Sequence, residues 1–185
     1  MNVEAGLAWE SGALSLDAAL FRRDGTDVID FVRSSPSEPY RATNLRSVDT
    51  TGVEATAALD LARLARTPLA RVVLRAALYR ASLDPLPPGT EGRYVLDPLR
   101  FRWDLVAEAR LPFRVDALAR LSYFDRPSFP EPVLLLDARI AYGVLEGEVL
   151  ELFVDGENLG DVAYEEVPGV PLPGRTFAAG LRLAW

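Results

Sequence analysis

Apolar and polar residues alternate with a period of two along most of this chain. In NVEAGLAWE, Val3, Ala5, Leu7 and Trp9 fall on one side, and Glu4, Gly6, Ala8 and Glu10 on the other. Successive side chains of a strand point to opposite faces, so the pattern predicts a strand with one apolar face. ALSLDAALF repeats it, with Leu14, Leu16, Ala18 and Leu20 opposed to Ser15, Asp17 and Ala19. A third strand is predicted from about Val48 to Leu61, and a fourth over ARVVLRAALYRA, which is apolar on much of both faces. FRWDLVAEAR and RVDALARLSYF follow, then LLLDARIAY and EVLELFV, and finally TFAAGLRLAW, giving about nine strands. Residues 55–83 are rich in good helix formers, and a helical pair broken at Pro68 is the rival reading there. Strands are preferred because the alternation on both sides carries into the region.

Short connections are expected at Ser11-Gly12, at about 62–68, at Leu111–Phe113 and at Glu146-Gly147. Long ones are expected at about 24–46, 84–96, 125–132 and 155–175. Short and long alternate, so an antiparallel up-and-down sheet gathers its turns at one end and its loops at the other. Outer-membrane β-barrels have this arrangement; soluble barrels of the lipocalin type also run up and down. Alternation alone does not say which face meets solvent. By strand parity Trp9, Phe101, Tyr123, Tyr142, Phe177 and Trp185 share the apolar face and sit near strand ends, where a membrane barrel carries its aromatic girdles. Opposite charges crowd the other face (Arg102, Asp104, Glu108 and Arg110; Arg114, Asp116 and Arg120; Asp137 and Arg139). A hydrated lumen and a solvated outer surface both accept that.

Composition narrows the chemistry. Cysteine and histidine are absent, which removes the disulfide framework, the thiolate and the commonest general base and metal ligand. All 20 basic residues are arginine and the net charge is −7, with no basic stripe for nucleic acid. No run of apolar residues reaches the length of a membrane-spanning helix, and no secretory signal precedes the first strand, so membrane residence has to come from strands. DGENLGD at 155–161 offers Asp155, Glu157 and Gly160 in calcium-loop order, but Leu159 stands where an oxygen ligand is needed. Asp104 and Glu108 are spaced as one strand's charges rather than as a hydrolytic pair, and GTEGR lacks the lysine and spacing of a phosphate loop. The expectation is no enzyme, no cofactor and no metal.

The C-terminal stretch LFVDGENLGDVAYEEVPGVPLPGRTFAAGLRLAW resembles the end of TonB-dependent outer-membrane receptors. The family pattern is an Asn-Leu-x-Asp-x-x-Tyr motif, a Gly/Pro-rich loop, Pro-Gly-Arg and a last alternating strand ending in an aromatic. The matching residues are Asn158, Leu159, Asp161 and Tyr164, then Pro173, Gly174 and Arg175, then Trp185. YRATNLRSVDTTGVEATAAL resembles a family strand entry at Asn44, Gly52, Val53 and Glu54. The resemblance implies an all-β, antiparallel, up-and-down transmembrane β-barrel in the cell outer membrane. It implies transport of a siderophore, cobalamin or a similar scarce ligand, contacted by extracellular loops in which Tyr40, Tyr94 and Phe129 are candidates. It implies as partners the outer-membrane lipid, the insertion machinery (which reads a terminal strand such as the one ending at Trp185), a plug, and TonB. Family barrels have about 22 strands, so residues 1–185 are expected to be the C-terminal part of one. The signal, the TonB-contacting box, the plug and the N-terminal strands would be absent, as in a truncated gene, a pseudogene or a split receptor. TonB would then be reached only through the missing N-terminal part. A soluble lipocalin-like binding barrel and a small self-closed outer-membrane barrel remain the alternatives.

Overall fold

A computed structural model describes residues 1–26, 29–44, 47–83, 88–93, 99–127, 129, 131–144, 150–167 and 169–183. Its strands are β1 (Asn2–Ser11), β2 (Leu14–Thr26), β3 (Ile29–Arg33), β4 (Arg41–Asn44), β5 (Ser47–Asp60), β6 (Leu69–Leu83), β7 (Glu91–Gly92), β8 (Phe101–Leu111), β9 (Val115–Asp125), β10 (Val133–Gly143), β11 (Leu150–Glu157), β12 (Glu165–Val167), β13 (Val170–Pro171) and β14 (Thr176–Leu183). Nine of them form one sheet in the order β1-β2-β5-β6-β8-β9-β10-β11-β14. Every neighbouring pair in it is antiparallel. These nine are the strands read from the alternation. The helical rival over 55–83 is replaced by β5 and β6, paired from Val48↔Leu83 to Asp60↔Arg71. Helix propensity lost there to ladder pairing on both sides.

The turns follow from local chemistry. The first hairpin turns through Gly12-Ala13, one residue later than the Ser11-Gly12 expected, because Ser11 still pairs with Leu14. Gly12 takes φ +58, the left-handed geometry that two-residue hairpins require. Leu61–Arg63 form a 3-10 turn beyond β5. Arg63 ties it down by donating to the Gly12 carbonyl at 2.9 Å and pairing with Asp60 at 3.0 Å. Pro112–Arg114 make the β8–β9 turn, with Phe113 and Arg114 at positive φ. The expected turn at Glu146-Gly147 lies outside the described residues.

The ladder registers give all nine strands one predominantly apolar face. Leu16, Ala57, Leu74, Leu105, Leu121 and Leu136 form one continuous row across it. Burial then decides which way this face points. Phe21, Ala58, Val73, Val106, Ser122, Phe124, Val133, Ala141 and Glu151 are buried, and all lie on the opposite, charge-bearing face. Leu7 at 75%, Leu20 at 59%, Ile140 at 59% and Leu181 at 67% exposure lie on the apolar face. A curling sheet crowds the side chains of its concave face and spreads those of its convex one. The charged face is therefore the inner one. A soluble lipocalin-like barrel needs the reverse, with the apolar face inside. Aromatics cluster at both ends of the outer face. Phe101, Trp103 and Tyr123 sit together at the loop end, the Trp103 and Tyr123 rings stacked at 5.8 Å, and Trp9 and Tyr142 sit at the turn end.

The loop end holds two small sheets that the sequence reading did not anticipate, β4-β3-β7 and β12-β13. Segments of two to five residues carry too few alternations to register as strands. Through β3–β7 pairing, Arg93 N–H donating to Phe31 O at 3.0 Å and an Arg33–Glu91 ion pair of 2.8 Å, the loop after β2 is joined to the loop after β6.

Candidate functional site

Two regions carry organised polar chemistry: the inner face of the sheet and the loop between β11 and β14. On the inner face, strand alternation turns every second side chain inward, and ladder register sets opposite charges beside one another. Asp104 accepts two bonds from Arg102, at 2.7 and 3.0 Å, and one from Ser122 Oγ at 2.7 Å. The pair Asp104/Glu108 is thus split, Asp104 being held in an arginine–serine bridge. Nearer the turn end, Glu151 lies between Arg139 at 3.4 Å and Arg182 at 3.0 Å. Arg139 also reaches Asp155 at 3.6 Å and stacks over Phe153 at 4.0 Å. Asp155, first in the calcium-like DGENLGD stretch, is therefore directed at a guanidinium. Such exposed and half-exposed pairs add little stability individually, but they line the inner face with fixed charges of both signs. Among them sits a small apolar cluster, Ala58, Val73 and Val106 with Leu118 against it. It explains why the β6 sequence is apolar on both faces, and alternation gave no sign of it.

The second region is built on Asn158. Its φ of +48 suits asparagine, which tolerates the left-handed region better than most residues. The side chain is 4% exposed and works as a clamp. Its Nδ2 donates to Val162 O at 2.9 Å and to Pro173 O at 3.3 Å, while Oδ1 accepts from Val162 N–H at 2.9 Å. The backbone of this corner is pinned to β10, since Asn158 N–H donates to Asp137 Oδ1 at 2.9 Å and Leu159 N–H to Leu136 O at 2.7 Å. Asp161, also at positive φ, accepts from the Arg175 N–H at 2.8 Å, so the far end of the loop is drawn back to its start. Tyr164 packs edge-on against Phe124 with ring centroids 5.9 Å apart, and its carbonyl accepts from Leu172 N–H at 2.9 Å. Burial, together with Glu166, Asp137 and Glu157, pushes the Tyr164 phenol above its ordinary pKa.

Gly174 is required for space. A Cβ there would stand 2.6 Å from Asp161 Oδ1. Gly174→Ala is expected to push Asp161 off the Arg175 N–H and to destabilise a completed barrel carrying this chain by about 1–3 kcal/mol. A urea-unfolding midpoint unchanged from the parent would contradict this.

Asn158, Leu159, Asp161, Tyr164, Pro173, Gly174 and Arg175 are thus brought into one corner at the loop end. Trp185 and Tyr94 lie outside the described residues. Tyr40 is in the loop after β2, with the Arg33 and Arg93 guanidinium groups at 4.7 and 5.3 Å from its ring, and Phe129 is in the β9–β10 loop, its N–H donating to Arg126 O at 3.3 Å. Neither touches the Asn158 corner through a described contact.

The family model "TonB dependent receptor-like, beta-barrel" matches residues 1–159. The chain belongs to this TonB-dependent receptor β-barrel family. The family is one of outer-membrane receptors and transporters, and no helix among the described residues is long and apolar enough to cross a membrane. The solved structures agree on the fold. The FrpB iron transporter from Neisseria meningitidis (F3-3 variant) superposes with a TM-score of 0.69 at 13% identity, over 97% of this chain and 30% of that one. The copper transporter OprC gives 0.69 at 16% identity, over 97% and 31%. A G324V mutant of the ferric enterobactin receptor PfeA from Pseudomonas aeruginosa gives 0.67 at 17%, over 97% and 30%. The chain therefore spans about a third of the length of the receptors it matches. No curated protein sequence matches it. The family model stops at residue 159, so the Asp161–Arg175 half of the Asn158 corner rests on the geometry above and on the resemblance of its residues.

Proposed function

We propose that this chain is the C-terminal part of the barrel of a TonB-dependent receptor in the cell outer membrane. Such a receptor would take up a siderophore, cobalamin or a similar scarce ligand. The observation that carries the reading is the inside-out burial: apolar residues exposed on the convex face, charged residues gathered on the concave one. Hydrocarbon outside and a hydrated or plug-filled lumen inside account for both faces at once. The structural neighbours, an iron transporter, a copper transporter and a ferric enterobactin receptor, favour a metal or a metal chelate as cargo. The loops after β2, β6, β9 and β11 would face outward and supply ligand contacts. The Asn158 corner would hold the last loop in place during assembly, and the strand ending at Trp185 would be read by the insertion machinery. In this reading the remaining strands and the plug complete the receptor. TonB is engaged through the part preceding them, and no catalytic step is assigned.

The sidedness is testable by labelling. In a hybrid receptor carrying this chain in place of the matching segment of OprC, Ser37→Cys in the loop after β2 should react with an impermeant maleimide on intact cells. Arg66→Cys in the β5–β6 turn should react only after the outer membrane is opened. Equal labelling of both on intact cells would sink the topology.

A further inference from the structure

We propose that the β5–β6 and β8–β9 turns form a binding surface for the phosphate headgroups of acidic phospholipid in the turn-side leaflet. The proposal rests on the membrane-barrel reading above and adds a lipid preference to it.

The two turns lie side by side, because the Pro68 carbonyl accepts from the Arg110 N–H at 2.8 Å. Residues 61–68 and Pro112–Arg114 combine apolar side chains with Arg63, Arg66 and Arg114, and contain no aspartate or glutamate. Arg63 is occupied by Asp60 and the Gly12 carbonyl. Arg66 and Arg114 are exposed, and neither meets a carboxylate among the described residues. The next turn on this rim, with Glu146 and Glu148 in its sequence, lies outside the described residues.

The apolar side chains of these turns are open as well. Leu64 is 63% exposed and Phe113 89%, although burial would stabilise each. Phe113 and Arg114 also hold left-handed backbone, with φ 64 and 61, which residues bearing a Cβ disfavour. At its exposure the Phe113 ring returns almost no packing within the chain for that backbone.

Depth supplies the occupant. Phe101, Trp103 and Tyr123 mark the loop-end girdle. From Trp103 to Leu111, β8 travels roughly 20 Å along the barrel axis, at ~3.3 Å per residue and a tilt of ~40°. The apolar band of a membrane barrel is about 25 Å tall. The turn just past Leu111 therefore stands at the opposite hydrocarbon boundary. A Phe or Leu side chain there enters the ends of the acyl region, and an arginine extends its guanidinium back to the phosphates. Zwitterionic lipids balance each phosphate with their own ammonium, whereas an acidic phospholipid leaves its phosphate uncompensated. Arg66 and Arg114 complement that charge. A soluble protein docking on the same turns would need Phe113 clear of the bilayer.

The test uses the OprC hybrid with its tryptophans replaced by phenylalanine and a single indole introduced by Phe113→Trp. A second version carries the indole by Leu64→Trp and serves if the first does not fold. Each is placed in vesicles of equal parts phosphatidylcholine and phosphatidylglycerol, with bromine on the acyl chains of one lipid or of the other. Brominated phosphatidylglycerol is expected to quench with about fivefold higher relative affinity than brominated phosphatidylcholine. Arg66→Gln together with Arg114→Gln should bring that ratio to about one. A ratio of one with both arginines present, or a preference unchanged by their removal, would overturn the proposal. Quenching by aqueous iodide and by neither brominated lipid would overturn it too, in favour of a surface open to a soluble partner. A hybrid whose only indole is Trp103 reads the barrel separately. With Trp103 quenched by brominated lipid, the barrel reading stands whatever the turns show; with Trp103 reached by iodide alone, both fall.

Discussion

An arginine at Ala76 should destabilise the completed barrel by about 1–3 kcal/mol, whereas an arginine one residue on, at Ala77, should cost under about 1 kcal/mol. Ala76 is on the outer face of β6, paired with Ala55 and Trp103, and so lies between the bilayer centre and the loop-end girdle. A guanidinium there must enter hydrocarbon or drag water and headgroups inward. Ala77 faces the lumen between Glu54 and Arg102. It borders a groove of about 270 Å³ lined also by Thr56, Tyr79 and Asp104, where Glu54 can accept the new cation. The two positions have the same strand, the same starting residue and the same depth, so helix or strand propensity cancels between them. Urea-unfolding midpoints of the OprC hybrid in lipid vesicles give the comparison. Equal losses, or a larger loss at Ala77, would mean that the faces are assigned backwards.

Asn158→Ala should cost about 2–4 kcal/mol, the largest effect of any single truncation in the loops. The substitution leaves the Val162 N–H, the Val162 carbonyl and the Pro173 carbonyl without their partner where Asn158 itself is buried, Val162 is half-buried and Pro173 is open to water. It also places an alanine at φ +48, adding about 1 kcal/mol of backbone strain. Asn158→Gly removes the strain and keeps the loss of hydrogen bonds, so it should fall about 1 kcal/mol short of Asn158→Ala. Asn158→Asp retains the acceptor for Val162 N–H but loses both donors, and should lie between Asn158→Gly and the parent. Limited proteolysis between residues 159 and 175 provides a second reading, with faster cleavage expected in the same order. A fully protected Asn158→Ala loop would show that the corner is held by Leu159 and Tyr164 packing alone.

Much of this architecture could be read before the structure, for a specific reason. A barrel strand exposes one face to one medium and the other face to another, so its alternation is seldom masked by burial on both sides. β1, β8, β9 and β10 are therefore visible in the sequence nearly to the residue, while β2 runs on to Thr26, past the Phe21 at which the alternation was read to end. β6 was ambiguous because its inward Val73 packs with Ala58 and Val106, breaking the alternation where the inner face has an apolar patch. Which face lies outside was not legible from the alternation, since polarity alternates identically in both kinds of barrel; the aromatics near strand ends pointed to lipid, and curvature, seen through burial, points the same way. The Asn158 corner was legible as a motif but not as a mechanism. Nothing in the order of residues shows that one amide side chain holds Val162 and Pro173 together, because the two are remote along the chain and joined only by the left-handed backbone at Asn158. The loop sheet β4-β3-β7 was missed because its pairing is between loops, and each strand is too short to leave a period.

The central claim, that the apolar face of this sheet meets lipid, is tested most directly by Trp103. A hybrid barrel whose other tryptophans are replaced by phenylalanine, including Trp9 and Trp185 of this chain, leaves Trp103 as the sole emitter. Its fluorescence is then measured in vesicles whose acyl chains carry bromine at defined depths. Trp103 stacks on Tyr123 at the loop end of the outer face, so bromine close to the headgroups should quench it strongly, bromine at the bilayer centre less, and aqueous iodide little. Strong quenching by iodide with none by brominated lipid at any depth would place Trp103 in water and contradict the account.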